Sequence, residues 1–372
     1  MRICLNPYVE GSGIGTYVLE LANYLAENTE HEIIAIGDTK LAHHPRINIY
    51  QTPKKNSFWT QVPPVSWFYF IWEDYKISRL VNKIKPEIFI NSDHLVFNKV
   101  KCPTYAVGWD YPKGIFACIR LATRYEEWWK LPYRIFREIE MSIKDYLAFS
   151  QVKSILGVTD YVTNKLQKKG YPAILCSPGI KIKSNDEKKC NKFTIVFVGR
   201  NHIWTKRKGL IYLLDALKIL ENENPEYDLI ILGNIPKESR KRFERYNSIK
   251  RHIILKGVLP RKDFINIIKR SHILAAPSLY EEFGFSIIEA MSQGLPVIVS
   301  RDNPSFKEMV SKNAGIELNI HNPKDFSERI SGLMNNKKLY TEIKNSAIIR
   351  IKERYSWNQI IPLLEKFQKS KN

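Results

Sequence analysis

The stretch from Ala275 to Ser300, AAPSLYEEFGFSIIEAMSQGLPVIVS, constrains this chain more than any other. An apolar strand over His272 to Ala276 runs into a Pro-Ser-Leu-Tyr turn and two carboxylates, Glu281 and Glu282. Phe283-Gly284-Phe285 then opens an amphipathic helix. Gly294 followed by Pro296 ends that helix, the usual order for a C-terminal stop, and Val297 to Ser300 is the next strand. Such a strand–helix–strand unit belongs to a parallel sheet, where ligands bind beyond the carboxyl ends of the strands.

That geometry carries a chemistry. The first helical N–H groups, around Phe285, Ser286 and Ile287, lack partners within the helix and bear partial positive charge, which suits phosphate oxygens. Gly284 permits close approach of a ligand to the backbone. Glu289 lies about one turn into the helix and tilts back toward its start, whereas Glu281 sits in the loop before it. One carboxylate on each edge of an anion site suits a diphosphate flanked by hydroxyl groups. Two exposed glutamates at this spacing are the plain alternative. The strand–turn–helix setting favours the site.

The setting PSLYEEFGFSIIEAMSQGLPVIVS, with Glu281 and Glu289 separated by seven residues, closely resembles the donor motif of retaining glycosyltransferase family 4. The resemblance implies the GT-B fold, an α/β architecture of two Rossmann-like domains facing each other across a cleft. The family usually has Gly after the first Glu, where this chain has Glu282.

Alternating strands and helices in the first half predict a parallel sheet covered on both faces. The strands are Arg2–Leu5, Glu32–Ile36, Ile47–Gln51, Glu87–Asn91, Thr104–Gly108 and Ser154–Val158; the helices are 14–26, 73–83, 132–145 and 160–169. A glycine turn enters the first helix, and the resemblance sets Gly13 and Gly15 toward the donor diphosphate and Tyr17 on the acceptor side. At the end of the strand 104–108 the family often has His-Asp. Here Trp109-Asp110 stands in its place, and His94 is the nearest substitute histidine. In the second half, Arg200 and Lys208 resemble the cation pair that clamps the diphosphate, stabilising charge on the leaving group. Lys206 and Arg207 crowd the same loop. Gly257-Val-Leu259-Pro260 matches the loop that holds the base, Glu308 matches a position near the sugar, and the tail from Arg354 starts a helix that crosses back. The domains expected are 1–170 for the acceptor, joined by a helix over about 355–372, and 171–354 for the donor, with a linker around Gly170 to Lys192.

Composition narrows the partners. The net charge of +20 favours polyanions. No nucleic-acid module is recognisable, so nucleic acid is not expected. Residues 113–144 interleave cations with aromatics. Two readings stand: a membrane-surface or acceptor face bearing Trp128, Trp129, Tyr133 and Phe136, or a face packed on the sheet. The run Phe58–Trp72 is likewise an acceptor loop or core. No segment is long and apolar enough to span a bilayer, no signal-peptide core precedes the first strand, and the five cysteines are odd in number and widely spaced. A cytoplasmic enzyme is expected, with peripheral membrane contact open.

The reaction expected is hexosyl transfer with retention, from a GDP-mannose or UDP-hexose type donor to a glycan or lipid-linked acceptor. The site would comprise Glu281, Arg200, Lys208 and Asp110 for catalysis. Gly13, Gly15, Leu259, Phe283, Gly284, Phe285, Ser286, Ile287 and Glu289 would join Arg200, Lys208 and Glu281 around the donor. Tyr17, Trp109, Asp110 and His94 would lie on the acceptor side. No cofactor is expected and, without an Asp-x-Asp pair, no metal. A small soluble acceptor, a non-catalytic basic binding protein and a glycoside hydrolase are the rivals. The last fits poorly with a basic diphosphate clamp.

Overall fold

The chain divides into two compact units, Met1–Gly179 with Trp357–Asn372, and Ile180–Ser356. A computed structural model describes every residue except 7–12, 38–43, 52–64, 93–99, 109–130, 183–186, 200–206, 224, 235–236, 282 and 370–372.

The first unit is built on strands β1 (Arg2–Asn6), β2 (Glu32–Ile36), β3 (Ile47–Tyr50), β4 (Ile88–Asn91), β5 (Thr104–Gly108), β6 (Ser154–Gly157) and β7 (Ala173–Leu175). All pair in parallel, in the order β3-β2-β1-β4-β5-β6-β7. β7 lies within the stretch read from sequence as linker, so the first sheet extends further along the chain than the polar composition after Gly170 implies. The helices of this unit are α1 (Gly13–Asn28), α2 (Val65–Ile84), α3 (Leu131–Phe149) and α4 (Asp160–Lys168). The central strands are buried on both faces, which is why strands such as Ile-Phe-Ile-Asn read as continuous apolar runs rather than alternating ones, whereas the edge strand β3 is largely exposed. On one face Val81 and Ile84 of α2 pack against Cys4, Ile34, Ile36 and Phe89. Phe149, Val162 and Leu166 of α3 and α4 pack against Ala106 and Ile155.

The second unit repeats the plan. Strands β8 (Phe193–Val198), β9 (Tyr227–Leu232), β10 (Ile253–Gly257), β11 (Ile273–Ala276), β12 (Val297–Ser300) and β13 (Ile316–Leu318) form a parallel sheet in the order β10-β9-β8-β11-β12-β13. Its helices are α5 (Leu210–Leu220), α6 (Arg261–Arg270), α7 (Phe285–Ser292), α8 (Pro304–Met309), α9 (Pro323–Asn335) and α10 (Lys337–Arg354), with α11 (Ile360–Lys369) closing the chain in the first unit. The basic segment Lys237–His252 is 3₁₀-helical, with a break at Tyr246. Asn303, Asn322 and Asn336 cap α8, α9 and α10 through their side chains.

The chain reverses its direction of winding at β8. The connection leaving β8 leads to β9 on one side, while that leaving β11 leads to β12 on the other. The carboxyl ends of β8 and β11 therefore flank a crevice, the usual ligand position in such sheets.

Candidate donor site

The loops after β8 and β11 are laced together. The Leu279 amide donates to the Arg207 carbonyl at 2.8 Å, and the Ser278 hydroxyl reaches the Lys208 carbonyl at 3.5 Å. Gly209 makes this approach possible. It has φ +75° at the start of α5, and any Cβ there would run into the Pro277 carbonyl oxygen. Only glycine satisfies both the left-handed backbone and the contact.

The lacing delivers Lys208 to Glu281. The ammonium donates to Oε1 of the carboxylate, and the Arg207 guanidinium stands 3.6 Å from the same oxygen. Both Lys208 and Glu281 are largely shielded from water, whereas Arg207 is 41% exposed. Of the cations crowding this loop, Lys208 is the close partner and Arg207 the outer one. Lys206 lies outside the described residues, as does Arg200.

Past Glu281 the chain turns into α7. Phe283 is buried, edge-on to Phe285 at 4.9 Å and near Tyr355 at 6.1 Å. Gly284 occupies the N-cap and supplies no side chain to the helix start. A Cβ there would sit 2.8 Å from both Ile287 and Phe306, so packing as well as ligand approach requires glycine. One expectation needs correction: the Ile287 amide donates to the Gly284 carbonyl at 2.9 Å, closing the first turn on itself. Of the three amides expected from sequence to meet an anion, Ile287 is thus engaged within the helix. At its far end α7 stops as expected. Gly294 (φ +70°) donates to Met291 and Leu295 to Ala290, a Schellman closure.

Glu289, within α7, is 5% exposed, and its Oε1 accepts from Nη1 of Arg261 at the start of α6. Sequence reasoning missed Arg261. Its one legible signal was a cation placed at a helix start, where the helix dipole disfavours it. Leu259 is half-buried in the loop that joins β10 to α6. Glu308 is tied to the end of α10: its carbonyl accepts from Arg350 at 2.9 Å and its carboxylate meets Arg354 at 3.5 Å.

In the first unit, Gly13 and Gly15 lie in the opening turn of α1. Tyr17 does not face an acceptor surface. It is 1% exposed, its ring lies 5.2 Å from Trp357, and its hydroxyl stands 3.8 Å from the Cys176 sulfur. Burial pushes the Tyr17 phenol well above its usual pKa, a core environment. Trp109, Asp110, His94, Trp128, Trp129 and the run 52–64 lie outside the described residues, and so does the side chain of Tyr133. Phe136 is exposed on α3, in line with Ile139, Ile143 and Tyr146 at helical spacing. No helix among the described residues is long and apolar enough to cross a membrane.

The family described as "Glycosyl transferases group 1" matches residues 180–350. An uncharacterized glycosyltransferase of Methanocaldococcus jannaschii is 30% identical over 168 residues, 45% of this chain and 42% of that protein. The UDP-Gal:alpha-D-GlcNAc-diphosphoundecaprenol alpha-1,3-galactosyltransferase of Escherichia coli is 28% identical over 160 residues, 42% of this chain and 40% of that protein. The matches thus span about two fifths of these relatives' length. Among solved structures, Anabaena HepE in complex with UDP and glucose superimposes with a TM-score of 0.70 over 100% of both chains at 14% identity, a likeness of fold. The chain has the GT-B fold, and its second unit is similar to the glycosyl transferases group 1 over residues 180–350.

Proposed function

We propose that this chain is a retaining glycosyltransferase of family 4 that moves a hexosyl group from a nucleotide-diphosphate sugar to a glycan or lipid-linked acceptor in surface polysaccharide or glycolipid synthesis. The observation that carries the reading is the Lys208–Glu281 pair at the switch point of the second sheet, immediately ahead of the side-chain-free start of α7. A cation, a helix N-terminus and a carboxylate converge there, the set that a diphosphate bonded to a sugar requires.

In this reading the donor diphosphate takes over Lys208, with Arg207 and Arg200 adding charge from the same loop. Glu281, released from its lysine, accepts from sugar hydroxyls. Glu289 accepts from the ribose, and the 257–260 loop holds the base. The anomeric carbon–phosphate oxygen bond breaks while the acceptor oxygen bonds to the same face of that carbon. The acceptor proton passes to the departing phosphate oxygen. Fixed cations stabilise the growing diphosphate charge, so the reading runs without a metal ion.

The E. coli relative is named for UDP-galactose and a diphosphoundecaprenol acceptor, and HepE is described with UDP and glucose. Both names favour a UDP-hexose over GDP-mannose as the donor to test first. The exposed line Phe136, Ile139, Ile143 and Tyr146 on α3 supports an acceptor met at the cytoplasmic face of a membrane. Co-sedimentation with anionic vesicles, weakened by Ile139→Ser, is the expected outcome, and recovery of the protein in the supernatant would count against it.

The test of the main reading is thermal stabilisation by UDP-, GDP-, ADP- and dTDP-sugars in EDTA. Stabilisation by one nucleotide family, lost in Glu289→Ala, is expected. No shift with any of them at millimolar concentration would point instead to a non-catalytic scaffold.

A further inference from the structure

Arg261 is the first residue of α6, and Glu289 lies on α7; the two are 28 positions apart in sequence. Both helices begin at the carboxyl edge of the second sheet, after β10 and β11. The acid is buried. The arginine side chain is 46% exposed and reaches in from the surface to bond one carboxylate oxygen. No side chain caps α6, whose N-cap is Pro260. A cation in a first helical turn opposes the helix dipole. Placing Arg there accepts a local penalty, and such departures from local rules concentrate at functional sites.

We infer that Arg261 is a positioning residue for nucleotide recognition. It fixes Oε1 of Glu289 so that the second oxygen meets the ribose 2′-hydroxyl in one orientation, and so sets a preference for ribonucleoside over 2′-deoxyribonucleoside diphosphates. The inference rests on the donor-site reading above. Without the guanidinium, a carboxylate this buried loses the cation that holds Oε1 and is free to turn. The ribose hydroxyl then loses a fixed acceptor, while the diphosphate contacts at Lys208 stay in place. The loss falls on the sugar ring and spares the phosphates.

Paired titrations read this directly: UDP against dUDP, GDP against dGDP and ADP against dADP, on the full chain and on Arg261→Ala and Arg261→Lys. The unaltered protein is expected to prefer one ribonucleotide over its deoxy partner by about tenfold or more, the worth of one hydrogen bond to a charged group. In Arg261→Ala the preference should shrink to within about threefold through weaker ribonucleotide binding, with deoxynucleotide binding unchanged. Arg261→Lys should recover part of it, since an ammonium keeps the charge without the rigid fork. Melting without ligand reports folding, and Arg261→Gln serves if the alanine variant melts low. Equal weakening of both nucleotides, or an unchanged preference, overturns the inference and leaves the donor site standing. An unaltered protein that binds no member of any pair overturns the donor-site reading and the inference with it.

Discussion

Lys208 and Glu281 lie 73 residues apart and form an ion pair where the loops after β8 and β11 meet. The residue expected to clamp phosphate and the residue expected to hold sugar are thus joined to each other. In the proposed reading, a donor diphosphate exchanges with the Glu281 carboxylate as the partner of Lys208.

That exchange makes Glu281→Gln informative, because its two effects have opposite signs. Removing the carboxylate's charge leaves Lys208 and Arg207 uncompensated, so free UDP or GDP should bind more tightly, by about threefold to tenfold. Turnover should fall by about 100-fold, because the sugar loses a charged acceptor. Calorimetry of the free nucleotide beside a transfer assay checks both. Weaker nucleotide binding in this variant would sink the exchange.

Gly209→Ala probes the lacing that creates the pair. A methyl group meets the Pro277 carbonyl, and the residue must keep φ +75°. The backbone term costs about 1 kcal/mol and the overpacking another 1–3 kcal/mol. A drop in the urea midpoint at constant slope is expected, together with weaker nucleotide binding. Gly257→Ala is the comparison: it has φ +69° with open space around it, and should lose only the backbone term.

Much of this was legible beforehand. Runs such as Thr104–Gly108 and Glu32–Ile36 are rich in β-branched and apolar residues, and they fold as read. The helix stop at Gly294 was legible because a left-handed C′ position selects glycine. Tyr17 carried a usable signal that went unread. It precedes Leu21 and Leu25 at intervals of four, on the face of α1 that turns to the core. The Arg261–Glu289 pair was not legible, because it depends on how α6 and α7 pack rather than on local pattern. β7 escaped for a related reason. Three apolar residues in a polar stretch become a strand only when β6 offers an edge to pair with.

Two half-buried bases give stability a pH dependence. His272 has its pKa lowered by burial first and by nearby Lys189 second; its Nδ1 accepts from the Thr194 amide at 3.0 Å and its ring stacks on Phe193. The unfolded chain binds a proton more readily than the folded one, so stability falls as pH drops below the ordinary value of 6.5. His272→Asn keeps an acceptor for Thr194 and should flatten that acid limb in melts between pH 7 and 5. His31, lowered mainly by burial, leaves a residual slope. Lys189 gives the alkaline counterpart. Its ammonium donates to the Lys269 and Ser271 carbonyls at the end of α6, yet burial pulls its pKa down to about 8. Its contribution therefore improves as pH rises from about 8 toward the unfolded value of 10.5. A Lys189→Met melt curve that rises as steeply as the unaltered one over that range would remove Lys189 as the cause.

The final helix belongs energetically to the first unit. Trp357 is 3% exposed against Tyr17 and Tyr24, Tyr24 donates to Asn358 at 2.6 Å, and Phe367 stacks on Tyr105 with centroids 3.9 Å apart. A Cβ on Gly179 would collide with the Trp357 ring, so the chain is shaped around that indole. Phe367→Ala should cost about 3–5 kcal/mol and Trp357→Ala a similar amount, each a large part of the 5–15 kcal/mol that holds an ordinary domain together. Removing residues 357–372 takes away Ile360 and Leu364 as well, both buried, and should leave the first unit unable to fold. Pulse proteolysis in urea reads this. The 1–356 chain should lose protection across the first unit while a fragment over about 180–356 survives, because the described residues beyond Ser356 all belong to the first unit and none is a strand of the second sheet. Uniform loss of both units would instead make the two a single cooperative structure.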